Sequence, residues 1–167
     1  KWIFEGGDSN QHSIRNGLWG LRDAGCAEDD IILVHDGVRP LVAERIITEN
    51  IEKCRKYGYA ITGMICKEAI MQKVDDCVKN IDIPRERLVR TQTPHTYPLS
   101  TLLKAHAEAD AKGIDGTVAS CTLMAELGVD NQHLVMGSEK NGLKLTQTED
   151  VELFKALKHT TKDEWLK

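Results

Sequence analysis

An α/β fold with a doubly wound, mostly parallel sheet is what this sequence predicts, and three observations carry it. Short apolar runs alternate with amphipathic segments along nearly the whole chain. Glycines stand just past the amphipathic segments, at positions 25, 58, 113 and 128, where helices stop. The run "IILV" (31–34) ends abruptly in His35-Asp36, as strands of such sheets end at the edge where ligands bind. The pattern is Rossmann-like.

The elements follow in order. "WIF" (2–4) reads as a short strand before a Gly6-Gly7 turn. Ile14, Leu18, Leu21 and Ala24 share one face of a helix closed by Gly25. Residues 30–34 read as a fully buried central strand. A helix from about Ala43 to Tyr57 carries its stripe at Ile47, Ile51 and Cys54, and "YAITGMI" (59–65) is the next strand. Residues 66–87 are charged and poor in apolar side chains, which suits a β-hairpin arm beyond the body of the domain. "RLVRTQTP" (87–94) returns as a strand, Leu99, Leu102, Leu103 and His106 mark a helix, and a shorter helix covers about 118–127. "HLVMG" (133–137) is a strand that "GLKLT" (142–146) extends. Thr146 to Glu149 reads as a capping box opening the last helix, which buries Val151, Phe154 and Leu157.

Composition narrows the function. At 167 residues the chain is one domain's worth, with 41% hydrophobic and 29% charged residues. A net charge of −4 leaves no electrostatic footprint for nucleic acid or an anionic membrane surface. Five scattered cysteines without a CxxC pair argue against a disulfide framework and a zinc site, and read as core residues in a reducing cytoplasm. The six histidines show no metal-ligand spacing. No GxGxxG follows a strand, which excludes a dinucleotide-dependent dehydrogenase.

Four polar clusters fall at strand or loop ends: "GGDSNQHS" (6–13), "HDGVRP" (35–40), "RTQTPH" (90–95) and "GSEKNGLKLTQTED" (137–150). Each has a plain structural reading. Gly6-Gly7 makes a turn, Asp36 and Arg39 an ion pair at a strand end, and Lys144 a surface lysine lying along apolar neighbours. Together, in this order, they resemble the 2-C-methyl-D-erythritol 4-phosphate cytidylyltransferase family, which includes ribitol-5-phosphate cytidylyltransferases. "HDGVRP", "QTPH" and "KLTQTED" carry the likeness.

The resemblance implies a nucleotide-diphospho-sugar transferase type of fold with residues 66–87 as a dimerisation arm. It also implies transfer of CMP from CTP to a polyol phosphate with release of pyrophosphate, assisted by magnesium. Gly7, Asp8 and Ser13 would line the cytosine pocket. Asp36 would anchor ribose, polyol or the magnesium–triphosphate region, Arg39 would orient the substrate, and Thr93 and Thr117 would hold the polyol. Lys144 would meet the α-phosphate, and Arg85 would reach the phosphate of a neighbouring subunit's substrate in a homodimer. The preferred polyol is 2-C-methyl-D-erythritol 4-phosphate, for isoprenoid precursors, with ribitol 5-phosphate the alternative.

The chain departs from the family at Asn10, Ala69, Met71, Val118 and the extra Gly142. The family's leading glycine-rich phosphate loop has no counterpart in residues 1–167, which then form the carboxyl-terminal major part of a single domain. Such a piece is expected to be inactive alone, and a non-catalytic nucleotide-binding or dimerisation module is the competing reading.

Overall fold

The computed structural model describes residues 1–160. Its main sheet has four strands, β1 (Ile31–Val34), β2 (Ala60–Ile65), β5 (Val89–Pro98) and β6 (His133–Met136), ordered β1-β5-β2-β6. β2 and β6 pair in parallel, whereas β5 is antiparallel to both β1 and β2. β1, β2 and β6 therefore run one way and β5 alone runs the other. The expected direction holds for three strands, yet only one ladder is parallel because the odd strand lies inside the sheet. The reason is local: β2 and β5 are joined by the ribbon and one 3-10 turn (Arg85–Arg87) with no α-helix between them, and parallel neighbours need a crossover connection.

Helices cover both faces, as double winding requires. α2 (Glu44–Tyr57) packs on one side through Ala43, Ile46 and Cys54 against Ala60 of β2 and Val135 of β6. On the other side, α1 (Asn10–Asp23), α3 (Leu99–Lys112) and α4 (Ser120–Glu126) enclose Leu18, Tyr97, Leu99, Leu102, Ala105 and Met124. The α2 stripe is turned from the expected one. Ile46, Asn50 and Cys54 are buried, while Ile47 and Ile51 are half-buried, because a polar residue at 50 has buried partners that periodicity alone does not show.

Capping explains the helix ends. Ser9 accepts the His12 N–H at the start of α1, and Gly25 closes it at φ 88°. The last helix, α6 (Thr148–Thr160), starts later than its sequence suggests. Asp150, not Glu149, reaches back to the Thr146 and Gln147 N–H groups, at 2.8 Å each. These two backbone donors hold the Asp150 carboxyl below its usual range. Val151 is exposed, and Phe154 and Leu157 are only half-buried.

Three other expectations are corrected. Residues 2–4 have no strand partner among the described residues, and Trp2, Ile3 and Phe4 are exposed. β1 is half-buried at one end of the described sheet rather than central. Residues 142–146 are not a strand: β6 is followed by the short helix α5 (Glu139–Gly142), after which the Leu145 N–H joins the Val38 carbonyl. Of the five cysteines, all free, Cys77 is exposed, while Cys54, Cys66 and Cys121 are core residues. Burial pushes the Cys54 and Cys121 thiols up, which keeps them unreactive.

The arm is a separate two-stranded ribbon, β3 (Met71–Val74) with β4 (Cys77–Asn80), joined through Asp75 at φ 51°. Ile70, Met71, Val74, Val78 and Ile83 are all exposed on or beside it.

Two buried histidines make stability depend on pH. Burial pushes both His95 and His106 down to about 4, against the opposing charges of Asp36 and Asp110 respectively. Arg39 and His35 near His95, and Arg15 and His12 near His106, add to the lowering. A histidine depressed in the folded state takes its proton first in the unfolded state, so stability is lost as pH falls from about 6.5 towards 4. For the almost fully buried His95 the loss is on the order of 3 kcal/mol across that window. Urea unfolding of the full-length protein followed by tryptophan fluorescence should show a midpoint that drops over this range. His106→Leu should flatten the slope.

Candidate active site

Three sequence-distant motifs meet at the carboxyl end of β1. Asp36 lies two residues beyond the strand, and the loop that follows turns through Arg39. Arg39 Nε donates to Asp36 Oδ2 at 3.0 Å, and its guanidinium also donates to the Gly142 carbonyl. Lys144 Nζ lies 3.6 Å from the same Asp36 oxygen. One carboxylate between two cations leaves a local charge of about +1 in a chain whose net charge is −4. That suits an anionic ligand.

The loop is pinned by a directed relay. The Asp36 N–H donates to Thr93 Oγ1 at 3.1 Å, and Thr93 Oγ1 is 3.0 Å from His35 Nδ1. His35 Nε2 is 2.9 Å from the Arg39 carbonyl, which can only accept. His35 Nε2 therefore carries a proton and donates to that carbonyl. Thr93 comes from β5, where the register jumps from Ile61–His95 to Thr62–Gln92 and leaves Thr93 and Pro94 bulged out. A proline costs no ladder bond there, and a bulge re-aims its side chains.

The Lys144 side is held through Gln92. Its Oε1 accepts from Asn141 Nδ2 at 2.9 Å and its Nε2 donates to the Ser138 carbonyl at 3.0 Å. Gly137 and Gly142 lie against the same amide so closely that a Cβ at either position would strike it. Gly142 is the last residue of α5, and Lys144 just beyond it reaches Asp36.

Asp36, Arg39, Thr93 and Lys144 line one cavity of about 570 Å³, shared with Asn10 and Ile14 of α1 and with residues 118–120. The other expected residues stand elsewhere. The Gly7 N–H donates to Ser13 Oγ at 3.0 Å, and Ser13 Oγ donates to the Ser9 carbonyl at 3.0 Å. Gly7 must be glycine, since a Cβ would strike His12. With exposed Asp8 they form a turn at the start of α1, beside the cavity wall but not in it. Thr117 is buried, and its N–H and hydroxyl both donate to Gln11 Oε1, at 2.9 and 2.7 Å. Arg85 is on the arm, half-exposed, bonded to the Lys67 carbonyl at 3.2 Å. It lines a separate hollow of about 590 Å³ with Ile70, Met71 and Ile83.

Sequence reading missed Gln11, His35, Gln92, His95, Ser120 and Asn141. Gln92 and Asn141 sit inside the quoted stretches "QTPH" and "GSEKNGLKLTQTED", but their work is to hold backbone, which no spacing rule announces. Gln11 lies inside the "GGDSNQHS" cluster, where nothing in the pattern sets it apart.

Gly142→Ala should destabilise the fold by roughly 1–3 kcal/mol through overpacking on Gln92. Gln92→Ala alone removes a buried amide whose hydrogen bonds are satisfied and should also destabilise. In chemical denaturation the double variant should lose clearly less than the sum, because truncating Gln92 opens the space the new methyl needs.

The chain matches the family model described as IspD, 2-C-methyl-D-erythritol 4-phosphate cytidylyltransferase, over residues 2–159. It is 42% identical to the ribitol-5-phosphate cytidylyltransferase of Lacticaseibacillus paracasei, covering 93% of this chain and 66% of that one. It is 36% identical to the 2-C-methyl-D-erythritol 4-phosphate cytidylyltransferase of Clostridium acetobutylicum, covering 90% of this chain and 62% of that one. The crystal structure of the latter enzyme from Thermus thermophilus superposes with a TM-score of 0.78 at 28% identity, over 93% of this chain and 72% of that one. The chain thus spans somewhat less than two thirds of the length of these curated relatives. It belongs to the 2-C-methyl-D-erythritol 4-phosphate cytidylyltransferase family.

Proposed function

We propose that the whole protein transfers CMP from CTP to a polyol phosphate and releases pyrophosphate. The observation that carries this reading is the Asp36–Arg39–Lys144 cluster, three charges from two sequence-distant motifs converging on one cavity. In the reaction a phosphate oxygen of the polyol attacks the α-phosphorus of CTP, and the bond to pyrophosphate breaks. Lys144 is half-exposed at the cavity mouth, free to meet the charge that builds on the α-phosphate. Arg39, more buried and clamped between Asp36 and the Gly142 carbonyl, is a rigid fork for a substrate oxygen. The Gly7–Ser13 turn beside the cavity is the place for the pyrimidine.

Among the described residues no three His, Cys, Asp or Glu side chains are grouped to hold a metal. Asp36 is the carboxylate lining the cavity, and both cations meet it through Oδ2. That fits magnesium arriving on the triphosphate, since this ion keeps its waters and takes one or two carboxylates plus substrate phosphates. Bound there, it would screen the phosphate charge. For the polyol, ribitol 5-phosphate moves ahead of 2-C-methyl-D-erythritol 4-phosphate, supported by 42% identity to the one relative against 36% to the other. Five unpaired thiols support a cytoplasmic setting.

The test offers the full-length protein each of the four nucleoside triphosphates with magnesium and either polyol phosphate. CTP with ribitol 5-phosphate should release pyrophosphate fastest, and equal release from ATP or GTP would overturn the assignment. Lys144→Ala should lower kcat by about 10²–10³ with a smaller change in KM. A change confined to KM would make Lys144 a ground-state binder.

The arm supports a homodimer. An isolated two-stranded ribbon is marginal in water, and this one leaves five large apolar side chains exposed on or beside it. Arg85 would then serve the neighbour's site. In the full-length protein, Arg85→Ala and Lys144→Ala subunits, each nearly inactive, should recover about a quarter of wild-type activity when unfolded and refolded together. Half the dimers are then mixed, each with one intact site of two. No recovery despite verified mixing would place Arg85 in its own subunit's service.

A further inference from the structure

The wall of the Asp36–Lys144 cavity holds two polar side chains that the reaction as described does not use. His95 and Ser120 both line it, and each is only 2% exposed. His95 Nε2 and Ser120 Oγ have no hydrogen-bond partner. The other buried polar residues of β5 are bonded: Thr93 to His35, Thr96 to Asn50, and Gln92 to Ser138 and Asn141. Leaving a buried polar atom unpaired costs folding free energy, and such atoms need a reason.

Position and chemistry give one. His95 pairs with Val34 across β1 and β5, so the two side chains share a sheet face, and both line the cavity. The Gln92 backbone supports one ring nitrogen of His95; the unpartnered Nε2 is then the bare acceptor of a neutral imidazole. Burial keeps the ring uncharged, holding it near 4. A bare acceptor repels phosphate oxygens, which Arg39 and Lys144 already attract, and an apolar group would leave it unmet. What satisfies it is a donor that carries no charge. Ser120 offers a hydroxyl able to donate or accept on the same wall.

We infer that His95 and Ser120 form a hydroxyl-recognition subsite, in which His95 Nε2 accepts from an uncharged alcohol group of the ligand and Ser120 pairs with a second one. The inference rests on the cytidylyl-transfer reading for its ligands, which carry such groups on the polyol chain and on the ribose of CTP. The subsite makes hydroxyl count a determinant of substrate choice, apart from the phosphate contacts.

The experiment uses the full-length protein with His95→Gln, His95→Leu and Ser120→Ala. KM and kcat are measured for CTP and for each polyol phosphate, and the same variants are titrated calorimetrically with each ligand. His95→Leu should weaken one ligand roughly 10-fold, the scale of one lost buried hydrogen bond. His95→Gln, which keeps an acceptor, should recover most of it, and Ser120→Ala should weaken the same ligand. Weakening confined to the polyol phosphate places its chain in the subsite. Weakening confined to CTP, and absent with 2′- or 3′-deoxy-CTP, places the ribose there. If Kd and KM for both ligands stay within about 2-fold in Ser120→Ala, a variant too mild to unfold the chain, and His95→Leu binds no worse than His95→Gln, the two atoms hold only buried water and the inference is overturned. Absence of turnover with preserved ligand binding counts against the activity alone, because the titrations still judge the subsite.

Discussion

Four polar side chains in the middle of β5 are buried, and the hydrogen bonds that three of them make organise most of this structure. Gln92, Thr93, His95 and Thr96 are all at 7% exposure or less, in a strand where side chains normally alternate between core and partner. Each of three reaches a different element. Thr96 meets Asn50 on α2, Thr93 meets His35 and the Asp36 backbone, and Gln92 meets Ser138 and Asn141. One strand thereby fixes a helix and two loops relative to one another.

The consequence for the site is that its charges are placed by backbone, not by each other. A carboxylate and two cations at a half-exposed position would gain little from their mutual attraction, since solvent screens such pairs. Asp36 is held because its N–H is tied to Thr93, and Lys144 because α5 is wound around the Gln92 amide between two glycines. The bulge at Thr93 and Pro94 connects the two arrangements, turning Thr93 towards one loop while Gln92 serves the other. Preorganisation of this kind lets a site stabilise transition-state charge without paying for rearrangement during the reaction.

The buried polar strip also ties stability to the site. Asn50, Thr62, Thr96 and the Pro94 carbonyl form a closed network on the α2 face, so the bulge is anchored from below by satisfied groups. On the opposite face the strip runs from Thr93 through His95 to Tyr97, passing from cavity to hydrophobic core within a few residues. His95 stands at that boundary. Its ring resists protonation because it is buried, and the same burial makes an unmet nitrogen on the cavity wall informative.

Helix existence, helix ends and the motif order were legible in the sequence, because amphipathic periodicity and glycine at positive φ are local properties. Gly25, Gly58, Gly113 and Gly128 all have φ between 66° and 90°, as their places after helices required. Asp36 and Arg39 stood out as polar residues ending an apolar run, whereas Thr93 and Lys144 were singled out only by the family resemblance. What local pattern does not encode is the partner of a buried polar group. Asn50 turned the α2 stripe away from Ile47, and Gln11 absorbed the hydrogen-bonding capacity of Thr117. The direction of β5 depended on what lay between two strands, and residues 142–146 became a loop around Gln92 instead of a strand. These outcomes were decided only when distant segments met, because satisfying a buried donor or acceptor is a property of the pair and neither sequence neighbourhood contains it.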